Sequence, residues 1–259
     1  MYYPIQVPFL LNRTFSEAVA YSEVVLPAAS DLVICFWEMQ PKQVAEKKVT
    51  NVIVTDACID LVVDFDQQVI GFSGMRQTNF DFTFSSVASG MGARMKPGVF
   101  HALTGLPAEQ AMDNFLPLGA TVLGSNFDQD YFFSLSFLEA RQYFQHFFVN
   151  LASKHQADAF TGFFDLLAQH DSWEATDIYD HFHYSPRQCQ RQFMTHFGLS
   201  PKMVLCIVRF QKALALLTQA SEGKPQLLAE TTYYDQSHLI RDFKRHIGLT
   251  PKELMGIYQ

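Results

Sequence analysis

The sequence predicts an α+β protein: a mostly-β first part, a helical connection, and a C-terminal all-α part with two helix-turn-helix units joined by a long helix. Three observations carry that prediction. Short runs rich in β-branched and aromatic residues fill residues 24–95. Apolar residues at helical spacing take over near Ser136. A segment then recurs, without gaps, after a shift of fifty residues.

The bulk properties set the bounds. A chain of 259 residues exceeds the usual single domain. With 48% hydrophobic and 17% charged residues it has material for real cores, which argues against disorder. No run of about 18 apolar residues occurs, so no membrane span is expected. The start, MYYPIQVPFLLNRTF, lacks the layout of an export signal. Cys35, Cys58, Cys189 and Cys206 are scattered without a C-x-x-C pair, which fits free thiols in a reducing cytoplasm, the expected location. The net charge of −7 does not suggest a polyanion partner, but the acid is unevenly placed. Residues 171–259 hold ten basic and nine acidic side chains, and residues 1–170 hold nine and seventeen. Phosphates respond to the local field, so DNA binding by the last part is not excluded.

Strands are expected at VTNVIVTD (49–56), IDLVVDF (59–65), VIGF (69–72) and FDFTF (80–84). In the last, Phe80, Phe82 and Phe84 alternate with Asp81 and Thr83, the period of a half-buried strand. Polar and glycine-containing stretches between them fit the turns of a small sheet or barrel. Pro97-Gly98 marks a turn, and PAEQAMDNF (107–115) reads as a short helix entered through a proline. Ser136 and Glu139 have capping-box spacing ahead of Phe137, Leu138, Phe144, Phe147, Phe148 and Leu151. A second helical stretch carries Phe160, Phe163, Phe164 and Leu167, and HDSWE (170–174) is a polar seam. The expected division is residues 1–132 as a β-rich sensor or regulatory unit, 133–171 as a helical linker where dimerisation is one candidate role, and 172–259 as the double helix-turn-helix unit.

The repeat pairs SPRQCQRQFMTHFGLSPK (185–202) with DQSHLIRDFKRHIGLTPK (235–252). Ser185 or Asp235 caps a helix by accepting a backbone N–H. Cys189 and Phe193, or Leu239 and Phe243, lie four apart and face inward. Gly198 or Gly248 ends the helix in the left-handed region. Ser200-Pro201 or Thr250-Pro251 opens the next. The outer face carries Arg187, Gln188, Gln190 and Arg191 in the first copy, and Gln236, Ser237, Ile240 and Arg241 in the second. Arg and Gln pair with guanine and adenine edges through two hydrogen bonds. A capped helix with such a face behind another short helix is the layout of a DNA reader. IYDHFHY (178–184) and LLAETTYY (227–234) supply the preceding helices, and VLCIVRFQKALALLTQA (204–220) the helix that fixes both readers.

At these residues the chain resembles the AraC/XylS family of transcription regulators. SPRQCQRQF, FGLSPK, RFQKALALL and YYDQSHLIRDFKRHIGLTPKEL agree with its DNA-binding domain in kind and order. The resemblance implies base contacts from Arg187, Gln190, Arg191, Gln236, Ser237 and Arg241, and backbone contacts from Lys202, Arg209 and Lys252. The earlier part is similar, more loosely, to the sensor domain of a subgroup of these proteins, through DACIDLVVDF (56–65) and MKPGVFHALTGLPAEQAMDNFLPL (95–118). That implies a cupin-like β-barrel but names no effector. Double-stranded DNA, a small-molecule effector, a second copy and RNA polymerase are the partners this reading brings. Against the family pattern, Thr232 stands where the second unit usually has a turn glycine and Tyr179 where the first has a small residue. A threonine in a left-handed turn costs ~1 kcal/mol, so altered geometry is expected there.

Other signals point to packing. The 25 phenylalanines read mainly as core. Asp56, Cys58 and Asp60 would share one face of a strand, with the aspartates hydrogen-bonding nearby backbone. The histidines His101, His146, His155, His170, His181 and His183 show no ligand spacing, and neither metal nor cofactor is expected. No catalytic elbow, phosphate loop or dinucleotide fingerprint occurs, so an enzyme is not expected. Two alternatives to a DNA-binding regulator stay open: a degenerate interaction module that has lost DNA binding, and a metal-dependent cupin enzyme.

Overall fold

Alternating apolar runs, too short for helices and bounded by turns, make most of the first half antiparallel sheet. The structure, a computed structural model, describes residues 1–6, 13–42, 46–170, 172–219 and 232–258. A short helix, α1 (Arg13–Ala18), leads into strands β1 (Val19–Val24), β2 (Val33–Pro41), β3 (Lys48–Ile53), β4 (Ile59–Asp64), β5 (Val69–Ser73), β6 (Phe80–Ser85) and β7 (Gly90–Met95). Helix α2 (Val99–Thr104) and strand β8 (Phe115–Pro117) complete this part. A six-stranded sheet runs β1-β2-β7-β4-β5-β8, and β3 pairs with β6 in a separate two-stranded sheet. All the pairings are antiparallel. Along β4 burial alternates: Ile59, Leu61 and Val63 are buried, with Asp60, Val62 and Asp64 on the other face.

Two expectations change here. Residues 107–115 form only a 3-10 turn at Ala108–Gln110, and the chain is extended again by Phe115. A helix does follow Pro97-Gly98: Gly98, at φ 91°, precedes α2. Asp56 and Cys58 do not lie on a continuous strand with Asp60, because Ala57 has a φ of 62° and β4 starts only at Ile59. Asp56 instead closes a turn, its carboxylate accepting the Cys58 amide at 2.9 Å.

The helical half follows its apolar spacing. It comprises α3 (Gln129–Ser134), α4 (Phe137–Ala152), α5 (Phe163–Gln169), α6 (Ala175–Phe182), α7 (Pro186–Phe197), α8 (Pro201–Gln219), α9 (Gln236–His246) and α10 (Pro251–Tyr258). The Ser136–Glu139 capping box forms at the head of α4. The phenylalanines of α3 and α4 pack inside this molecule: Phe144 and Phe148 meet Phe36 edge to face, and Phe132 meets Phe65. One buried cluster runs from the sheet through α4 and α5 to Phe193 and Phe197 of α7 and Ile207 of α8. A second gathers Phe210 and Leu214 of α8, Leu239 and Phe243 of α9, and Leu254 of α10, with Val54 from the sheet side. Among the described residues no helix is long and apolar enough to cross a membrane.

Candidate nucleic-acid interface and the adjoining cavity

Each reader helix starts on a cap made by its own sequence. The Ser185 hydroxyl accepts the Gln188 amide at 3.3 Å, and the Asp235 carboxylate accepts the His238 amide at 2.7 Å. Proline opens α7, and Gly198 ends it at φ 65°; Gly248 follows α9 at φ 80°. The inward residues Cys189 and Phe193, and Leu239 and Phe243, are buried. That burial turns the opposite face outward, and Arg187, Gln190, Arg191, Gln236, Ser237 and Arg241 are all exposed. Among the described residues, Arg187, Arg191 and Arg241 make no ion pair. These guanidiniums are available to an outside acceptor.

Lys202 and Lys252 are also exposed, each beside the proline that opens the next helix. Arg209 differs from the expectation of a phosphate contact. Its guanidinium donates to Asp242 at 3.0 Å and lies 5.0 Å over the Tyr233 ring, with its side chain 22% exposed. It ties α8 to α9 from within, and Asp242 is engaged by Arg209 rather than by Arg191 or Arg241.

The strained turn of the first unit also moves. Tyr179 sits half-buried in ordinary helix, whereas His183, capping the C-terminus of α6, has φ 53°. The left-handed residue between the two helices is therefore His183, two residues before the Ser185 cap. Most of the helix expected over 227–234 lies outside the described residues, and of that segment Thr232 and Tyr234 are exposed and Tyr233 buried.

Both units rest on the sheet-bearing half. The C-terminal half of α7 packs against α2 and the turn at 108–110. His196 stacks on Phe160 with centroids 3.6 Å apart and meets His101 edge to face at 4.4 Å. In the second unit, the buried His246 accepts or donates a 2.6 Å hydrogen bond with the Thr55 hydroxyl, depending on its tautomer, and its carbonyl accepts the Thr55 amide at 3.3 Å. Gln211 of α8 donates to the Thr55 carbonyl at 2.8 Å. Burial lowers both imidazole pKa values to about 4; Arg245 and Arg209 add to this at His246, and His101 does at His196.

Thr55 belongs to a shared wall. On its other side a cavity of about 430 Å³ opens between the two sheets, lined by Val54, Thr55 and Asp56 among others. Phe80, Phe82 and Phe84 line it too, so this alternation serves a hollow as well as a core. The buried Arg94 donates to Glu23 at 3.0 Å and lies 3.5 Å from Asp56 and 3.9 Å from Asp60. Asp60 also accepts the Trp37 indole N–H at 2.7 Å. Burial pushes the Asp60 carboxyl up to about 6, against the pull of Arg94. Glu23 meets the same burial penalty, but Arg94 and the hydroxyls of Tyr21 and Tyr3 outweigh it and hold its pKa below the usual range. Among the described residues, no group of three or more His, Cys, Asp or Glu side chains is placed to hold a metal ion.

A mostly-β unit followed by paired, capped helices on a central rod has the layout of a chain that carries a double helix-turn-helix. A helix-turn-helix domain family matches residues 178–256, and a family described as a domain of unknown function matches residues 26–117. The C-terminal part of the chain thus matches a helix-turn-helix domain. Over 90 residues the chain is 33% identical to the HTH-type transcriptional activator RhaS of Escherichia fergusonii and 31% identical to RhaS of an Enterobacter species. Each match takes in 35% of this chain and 32% of the relative, so the chain matches about a third of the length of these relatives. Among solved structures, ToxT of Vibrio cholerae aligns over 93% of this chain and 97% of its own, at 11% identity and a TM-score of 0.42. A fatty-acid-bound ToxT aligns at 13% identity and a TM-score of 0.40, over 93% of this chain and 94% of its own.

Proposed function

We propose that this chain is a cytoplasmic, non-enzymatic transcription regulator that binds double-stranded DNA in a sequence-specific way. In this reading residues 172–259 are the reader and residues 1–132 a sensor, joined by 133–171. One observation carries it: two equivalent helices, each capped and seated by its own apolar face, hold Arg187, Gln190, Arg191, Gln236, Ser237 and Arg241 outward, with the three arginines making no ion pair among the described residues. Lys202 and Lys252 then serve as phosphate contacts. A surface that had only to be soluble would not need an unpaired Arg at the same place, Arg191 and Arg241, on both copies.

The cavity gives this reader a control input. Val54 lines the hollow and also joins the core of the second unit, while Thr55 is bonded to His246 and Gln211. A small molecule that moves this wall changes the seat of α9, and DNA affinity then changes by the coupling energy between the two sites.

The test is selection of bound duplex from a random pool with the full chain, followed by affinity measurements on the recovered site. Arg191→Ala and Arg241→Ala are each expected to cost about 1–3 kcal/mol of discrimination, and affinity should fall steeply with salt. Recovery of no preferred site, or equal binding by the doubly substituted chain, would favour the interaction-module reading.

A further inference from the structure

We infer that the cavity between the sheets binds an amphipathic organic cation, a protonated amine carried on an aromatic or alkyl body. The binding claim stands on the cavity itself; that such a ligand is the control input rests on the regulator reading above. Three carboxyl groups, from Glu23, Asp56 and Asp60, surround the single guanidinium of Arg94. Asp56 and Asp60 line the hollow beside Arg94, whose charge is shared with Glu23 outside the lining, while the second lining guanidinium, Arg76, is paired with Asp113; the end around Arg94 therefore carries an excess of negative charge. Trp37 and Asp60 are joined by a hydrogen bond, and this fixes the indole beside the acid.

Asn51 supplies an independent sign of a missing ligand. It lines the cavity, is 1% exposed, and among the described residues neither its carbonyl oxygen nor its amide nitrogen has a hydrogen-bond partner. A buried amide left without partners is costly, and a ligand head group with donors removes that cost at the carbonyl. The remaining walls are apolar and aromatic. Tyr21 and Trp37 stack at 6.4 Å, and Phe82 and Phe84 stack at 5.3 Å. Aromatic faces attract a cation and also bury a hydrocarbon body. An anionic amphiphile of the same size would set its charge against the carboxylate excess. A neutral alcohol would satisfy Asn51 and leave the excess in place.

The experiment is calorimetric titration of the full chain with phenylbutylamine, phenylbutanol and phenylbutanoate, which share a body and differ in head-group charge. The amine is expected to bind at least about tenfold more tightly than the carboxylate, with the alcohol between them. Asp60→Asn should erase most of the preference. Because Asp60 holds Trp37 and Arg94, Val62→Trp provides a second variant: it fills the cavity from β4 and should abolish amine binding while circular dichroism stays unchanged. Carboxylate binding equal to or tighter than amine binding, no binding of any probe, or amine binding that survives Val62→Trp would each overturn the inference. An amine that binds the cavity and leaves DNA affinity unchanged would refute its role in control and leave the ligand class standing.

Discussion

The two helix-turn-helix copies have nearly the same internal grammar and very different settings. Phe193 of the first copy contacts the rings of Phe160, Phe163, Phe182 and Phe197, inside the cluster that also holds the sheet and the linker helices. Phe243 of the second meets the Phe210 ring, in the smaller cluster that reaches the sheet half through Val54. One reader is therefore built into the main core, and the other is seated against its edge. Repeat identity fixes what a helix presents to solvent, whereas the setting fixes how firmly it is held. The edge-seated copy meets the cavity wall at Val54 and Thr55, whereas the first copy meets it at Met75, inside the main core.

The largest expected effect tests that difference directly. Phe193→Ala and Phe243→Ala each remove a fully buried ring and should each cost about 3–5 kcal/mol. The consequences should differ in extent. Phe193→Ala lowers the unfolding midpoint seen by both Trp37 and Trp173. Phe243→Ala releases amide exchange in residues 236–258 while the tryptophan signals hold. If both variants lose all signals together, the two clusters form one cooperative unit and the contrast fails.

These settings mark the limit of what the sequence discloses. The caps at Ser185 and Asp235, the Ser136–Glu139 box, the glycines at 198 and 248 and the long helix through Phe210 rest on interactions within a few residues, so spacing reveals them. The cavity does not: Glu23, Asp60 and Arg94 come together only because β1, β4 and β7 are brought close in the six-stranded sheet. Nothing local records that pairing. The Arg209–Asp242 pair is hidden for the same reason, since its members lie thirty-three residues apart. The 107–115 stretch has a helix-like opening, yet the pairing of Phe115 with Ser73 draws the chain out into a strand.

A smaller effect separates the two docking histidines. His196 and His246 occupy equivalent positions and both have pKa values lowered to about 4 from 6.5. Above pH 6.5 each is neutral folded or unfolded, so its contribution is complete; as pH falls from 6.5 toward 4 the unfolded chain takes up the proton first and that stability is lost. Asp60, raised to about 6, acts in the opposite sense, its contribution being present at low pH and lost as pH rises through 6. His196→Gln and His246→Gln leave Asp60 in place, so each difference from the parent isolates one histidine. Denaturant midpoints at pH 7 and 5 should show a smaller acid loss in each variant. His246→Gln should also loosen the second unit selectively, because it breaks the bond to Thr55. A pH slope equal to the parent's in the double variant would remove the histidines from the account.

The smallest effect concerns the turn of the first copy. His183 holds φ 53° with its side chain exposed, and its amide donates to the Asp180 carbonyl at 3.2 Å. A side chain in the left-handed region costs roughly 1–2 kcal/mol, which glycine avoids. Glycine also gives the unfolded chain more freedom, worth about 0.4–1 kcal/mol in the other direction. His183→Gly should therefore stabilise the chain by about 0.5 kcal/mol and leave the affinity for the selected DNA unchanged within about twofold. A clear loss of stability in His183→Gly would mean that the imidazole supports the turn, and the first copy would then owe its geometry to that side chain as well as to the core beneath it.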